Sequence, residues 1–214
     1  MQKFIFTLLV VLGFSVMVNA QTYEGTITYD KKKQQALLID FSYSPDAVQN
    51  AFVRKMDKLG YKPKEEKGIL NKDKGFLVFK NALVTDISTD RMDYIVKVER
   101  KSRKESDAAI LYVIMNKSDQ NALNQMDAYS LDRAKSFLNN MMPDVITADL
   151  ELQIKAQEDV LAKAEKKLRG LKDDQAALEK KLADNKTDQE NTQKDIENQK
   201  QTLGTLIGKR RETN

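Results

Sequence analysis

The sequence predicts an α+β protein: a small antiparallel sheet with two packed helices, followed by a long helical coiled-coil tail. Three observations carry this. Short apolar runs with period-two alternation are separated by charged turns; two stripes at helical spacing flank those runs; and an uninterrupted seven-residue frame follows them. Composition changes where the frame takes over. All three prolines lie at or before Pro143 and no aromatic residue follows Phe137. The expected division is therefore a globular domain over 21–143 and a tail over 144–214.

Residues 1–20 read as a secretory signal peptide. Met1-Gln2-Lys3 is a short positive start, Phe4 to Val18 is uncharged and mostly apolar, and Val18-Asn19-Ala20 supplies small residues before Gln21. The apolar run is short for a membrane span. The expected location is the periplasm or the extracellular space, with no transmembrane span after cleavage.

In the globular part, Thr22–Tyr29 and Ala36–Tyr43 are expected as two strands joined by a loop over 30–35. Ser44-Pro45-Asp46 reads as an N-cap, a first-turn proline and a first-turn acid. Val48, Ala51, Phe52, Met56 and Leu59 make one helical stripe, and Gly60 is placed to end it. Short strands are expected over Tyr61–Glu65, Gly68–Asn71 and Gly75–Lys80, with a hairpin turn at 71–75. Met92, Tyr94, Val96 and Val98 alternate as in a half-buried strand. Ala109–Met115 is continuously apolar and expected at the sheet centre. A second helix is expected from about Gln120, with Leu123, Met126, Ala134, Phe137 and Met141 on one face.

With Ile154 at position a, the tail's aliphatic seam is Leu150, Ile154, Leu161, Leu168, Leu171, Leu178, Leu182, Ile196, Leu203 and Leu206. Asn185, Gln189 and Thr192 interrupt it in succession. Asp184 to Asp188 has turn composition, and Thr187-x-x-Glu190 fits a capping box. Folding back near residue 187 pairs Leu178 with Ile196 and Leu171 with Leu203, so a helical hairpin is the favoured arrangement. The rivals are one unbroken helix or its dimers. A parallel in-register dimer sets Lys167 on Lys172, Asp174 on Glu179 and Lys181 on Lys186, all repulsive. An antiparallel dimer centred near residue 176 pairs each of these charges with its opposite, but mates most apolar seam residues with polar ones.

Chemistry is narrowed by absence. The chain has no His, no Cys and no Trp, which excludes imidazole bases, thiol nucleophiles, disulfides and thiolate metal sites. No phosphate-cradling glycine loop and no Ser-x-x-Lys motif is present, so no cofactor and no catalytic residue is assigned. The balance of 36 Lys and Arg against 32 Asp and Glu is too slight to argue for nucleic acid.

Two basic clusters stand out. Lys97, Arg100, Lys101, Arg103 and Lys104 lie in the strand end and loop between the last two strands, and Lys31, Lys32 and Lys33 lie in the first hairpin. Solvated turns explain both most simply; the functional alternative is contact with an anionic envelope surface. Asp86, Ser88 and Asp90 have the spacing of a calcium loop. Arg91 stands where Gly is needed and Lys97 where a bidentate Glu is needed, so no metal is assigned. Asp40 is the one acid inside an apolar strand, and an outward polar face is its simplest reading.

The expected function is that of an exported, non-catalytic interaction protein. Its globular domain presents a partner surface and its tail mediates self-association or docking to a protein partner. The alternatives are a small-molecule or glycan site in the α+β domain, with weak carboxylate chemistry, and a periplasmic holdase.

Overall fold

A computed structural model of the chain describes residues 21–65, 74–102 and 104–212. The expected signal peptide, the strand over 68–71 and Arg103 fall outside these residues. Contacts divide the chain into two compact units, the first running to Ile154 and the second starting at Lys155.

The first unit opens with β1 (Tyr23–Tyr29) and β2 (Lys32–Phe41), an antiparallel hairpin. The expected six-residue loop is a two-residue turn instead. Asp30 and Lys31 both take positive φ, 48° and 61°, the geometry whose twist matches the flanking strands. β2 therefore starts early, and Lys32 and Lys33 are strand residues facing Tyr29 and Thr28 rather than loop residues. Gly25 has a packing reason in β1: a Cβ there would stand 2.9 Å from Leu38 Cδ1.

Helix α1 (Pro45–Lys58) forms as its sequence signals dictate. Ser44 Oγ accepts from the Ala47 amide at 3.3 Å. Gly60, at φ 86°, donates to Asp57 O, and Tyr61 donates to Met56 O, which satisfies the last carbonyls. Val48, Ala51, Phe52 and Met56 are buried, whereas Leu59 at the C-cap is 43% exposed and leaves the expected stripe.

The chain then crosses to the far edge as β3 (Lys64–Glu65) and returns through β4 (Leu77–Leu83), β5 (Arg91–Arg100) and β6 (Ala109–Lys117). The strand order is β1-β2-β6-β5-β4-β3, every pair antiparallel, with β7 (Gln120–Asn121) hydrogen-bonded to β6. The apolar run of β6 lies between β2 and β5, as its composition requires. β4 runs past the expected Lys80 through a bulge between Phe79 and Ala82. There Asn81, at φ 50°, donates its amide to Asp93 Oδ1 at 2.7 Å.

The second helix starts later than expected. Residues 120–124 form β7 and one 3₁₀ turn, and α2 spans Ala128–Asn139 behind an Asp127 cap that accepts from the Ser130 amide. Ser118 and Asp119 take positive φ and form a second tight hairpin turn, so the chain pairs with β6 before any helix can start. Leu123 and Met126 pack on the core from this turn region, not from a helix. After α2 comes α3 (Met142–Glu212); within the first unit it contributes buried Val145 and Ala148.

Both α1 and α2 cover one face of the sheet. Leu37, Ile39, Phe79, Tyr94, Leu111 and Val113 point to them, and the Phe52 and Phe79 rings meet at 5.7 Å. The opposite face carries a smaller buried cluster of Ala36, Leu38, Phe76, Val78, Ile95 and Ile114. β5 is thus buried on both faces at its centre, not half-buried as its alternation implied; Ile95 is only 3% exposed. Tyr29 of β1 and Phe76 just before β4 approach to 4.9 Å between ring centroids. Four strand spacings of about 4.8 Å separate these positions in a flat sheet, so the sheet curls toward this second face.

The second unit is the remainder of α3, and the helix is unbroken through residues 184–192. The expected hairpin is not formed. No Gly or Pro lies between Leu171 and Leu203 to stop the helix. The residues read as a turn are instead bonded along the helix. Thr187 Oγ1 donates to Ala183 O at 3.1 Å, and Gln189 Nε2 donates to Asn185 Oδ1 at 2.7 Å. Thr187 therefore caps nothing; its hydroxyl satisfies a carbonyl one turn back.

Candidate functional site

The second unit offers the most extensive candidate surface. Leu161, Leu168, Leu171, Leu178, Leu182, Ile196, Leu203 and Leu206 recur at heptad spacing along one helix, and every one is exposed, Leu182 to 72%. Leu150 and Ile154, in the first unit, are exposed as well. Leu171, Leu178 and Leu182 flank a shallow groove whose polar rim is Asp174, Gln175 and Glu179. Gln175 Nε2 donates to Glu179 Oε1 at 2.8 Å, so even a seam amide is held along the helix. This face can bury aliphatic surface against another helix.

On the first unit, the basic cluster is divided between β5, which carries Lys97 and Arg100, and the loop after it. Lys97 Nζ lies 2.7 Å from Glu99 Oε1 and 4.8 Å above the Phe76 ring, at the margin of the second apolar face. Lys101 Nζ holds Asp40 Oδ2 at 2.7 Å, and Tyr23 OH donates to Asp40 Oδ1 at 3.2 Å. Asp40 is thus the joint between β1, β2 and the β5–β6 loop. The hydrogen bond from Lys101 and the charge of Asp40 together raise the ammonium's pKa. Tyr23 is raised too, by burial first and by Asp40 second. Arg100, the last residue of β5, and Lys104 on the loop are both exposed. Lys31 and Lys32 are exposed on the first hairpin, away from this joint in sequence.

The turn that resembles a calcium loop is already committed. Ile87 and Ser88 amides both donate to Val84 O. Ser88 Oγ accepts from the Asp90 amide, and Asp90 Oδ2 pairs with Lys117 Nζ at 2.6 Å. Arg133 donates to the carbonyls of Thr85 and Asp86. Of the three side chains with calcium-loop spacing, Asp90 is thus paired with a lysine and Ser88 accepts from an amide of its own turn. Among the described residues no group of three acidic side chains is disposed to hold a metal.

A cleft of about 240 Å³ lies between α1 and α2, bordered by Lys55, Asp86, Tyr129, Arg133, Phe137 and Asn140. Its two cations are engaged by the fold. Arg133 holds the turn carbonyls, while Lys55 lies over the Phe137 ring and pairs with Asp144 at 3.3 Å. The volume is below the roughly 300–1,000 Å³ of ordinary ligand sites.

Sequence reasoning missed the Asp40–Lys101–Tyr23 joint. An acid inside an apolar strand was its only signal; the partner sixty-one residues on had none. Among the described residues, no helix is long and apolar enough to cross a membrane. Comparison of the chain with protein-family models, curated proteins and solved structures finds no match.

Proposed function

We propose that this is an exported, non-catalytic interaction protein of the cell envelope, whose helical unit mediates association and whose α+β unit presents a surface. One observation carries the reading: an aliphatic stripe at heptad spacing along a single helix, with none of its members covered. Water disfavours such a stripe, at roughly 25 cal/mol per Å² of apolar surface left uncovered. Charged flanks keep the helix soluble without removing that drive. Export rests on the N-terminal pattern of residues 1–20 alone. The basic loop adds little to an anionic-surface reading, because Lys97 and Lys101 already hold carboxylates.

The test replaces Leu171, Leu178 and Leu182 together by Gln in the full chain. Association, read as molecular mass in solution and as capture of an envelope protein, should be lost while the α+β unit stays folded. An unmodified chain that neither self-associates nor captures a partner overturns the reading.

A further inference from the structure

The geometry points to a second copy of this chain as the partner of the helical unit, bound antiparallel with the two-fold axis between residues 176 and 177. This deepens the interaction reading above and rests on it. Because α3 does not fold back, the stripe is not covered from within its own unit, and a neighbour must supply the opposing seam. The flanking charges identify that neighbour. Along the helix they run Glu165, Lys167, Lys172, Asp174, Glu179, Lys181, Lys186 and Asp188. Read backwards, each of these eight finds the opposite sign at its mate, while the outer Glu158 and Asp195 meet the uncharged Gln193 and Val160. Glu165 meets Lys186, Lys172 meets Glu179, Lys167 meets Asp188 and Asp174 meets Lys181. A pattern that complements its own reversal is what an isologous two-fold interface requires. It orients the pair, because e and g charges set direction and partner in coiled coils.

The register is as specific as the direction. Sliding by one heptad places Lys167 on Lys181 in one sense and Lys172 on Lys186 in the other. A parallel, in-register pair sets Lys167 on Lys172, Asp174 on Glu179 and Lys181 on Lys186. In the antiparallel register Leu171 packs on Leu182, and no seam layer is wholly polar. Gln175 faces Leu178, Asn185 faces Leu168, Gln189 faces Ala164 and Thr192 faces Leu161, so each polar seam residue lies against an aliphatic side chain and its polar end reaches the rim. Within the second unit alone the overlap spans residues 155–198, about 65 Å of helix.

The absence of cysteine makes the test clean, since any introduced cysteine is the only label site. In the full chain, spin labels at Ala177→Cys should lie within about 20 Å of each other across the dimer, and labels at Lys194→Cys about 50 Å apart. Lys172→Glu turns two symmetry-related attractions into repulsions and should weaken dimerisation about tenfold. Glu179→Lys should do the same, and the two together should restore it. Short distances at both label sites, or tighter association on Lys172→Glu, identify a parallel pair and overturn the inference while leaving the interaction reading intact. A chain that stays monomeric yet captures an envelope protein also overturns it alone. A monomer that captures nothing overturns both.

Discussion

The two units use the same aliphatic residues to opposite ends. Leu111 in β6 is fully buried between sheet and helices, whereas Leu182 in α3 is 72% exposed. Residue type does not separate them; the supply of a second surface does. In the α+β unit a meander returns to lie beside β2, and two helices lie on one face, so each apolar side chain meets neighbours contributed by the same chain. The helical unit has only one surface to offer, and a helix cannot bury its own stripe. One unit therefore buries its apolar residues within itself, and the other leaves its stripe exposed.

The sharpest break of this comparison is a pair of truncations. Phe79→Ala, in contact with Phe52, should cost about 3–5 kcal/mol of the α+β unit's stability. Leu182→Ala should change that unit by less than about 0.5 kcal/mol. All seven tyrosines lie in the first unit, so tyrosine fluorescence during urea unfolding reports on it alone. A large shift from Leu182→Ala would show that the units are energetically one.

A smaller effect tests how the first unit is fastened at its start. Thr22 is buried, and its amide and Oγ1 donate to Asn139 Oδ1 at 2.8 and 2.7 Å. Asn139→Ala leaves both donors without that acceptor and should cost about 1–2 kcal/mol in the same unfolding experiment.

The smallest expected change is a gain. Tyr94 is buried on the helix-covered face, and among the described residues its hydroxyl has no hydrogen-bond partner. Tyr94→Phe should stabilise the unit by about 1 kcal/mol at neutral pH. Burial, with the neighbouring Tyr61 hydroxyl second, pushes the Tyr94 phenol far above its ordinary value. With the folded pKa raised, the unfolded chain releases this proton from about pH 10 while the folded chain keeps it. The Tyr94 contribution is therefore complete below pH 10 and falls as pH rises, by about 1.4 kcal/mol per unit. Tyr94→Phe should flatten that alkaline limb; an unchanged limb would place the titration elsewhere.

Legibility followed the range of the interactions. The α1 boundaries were readable because Ser44, Pro45 and Gly60 act on backbone groups within a few residues. The central place of β6 was readable because burial on both sides demands a continuous apolar run. The tight turns at 30–31 and 118–119 were not, since Asp-Lys and Ser-Asp adopt positive φ only when flanking strands pair. The late start of α2 follows from the second of these turns. The candidate stripe was fully visible as spacing, yet the hairpin favoured by like-with-like seam matching is absent, because no helix-stopping residue exists in its centre.

By itself, then, the sequence determined the α+β class with a long helical tail, the heptad seam and the chemistry excluded by the lack of His and Cys. Those are properties of composition and of spacing within a helical turn or a strand, and they hold whatever the chain packs against. The tertiary structure alone decided the sheet order, the second buried face and the Asp40–Lys101 joint. Each depends on groups far apart in the chain, and a local pattern does not contain them.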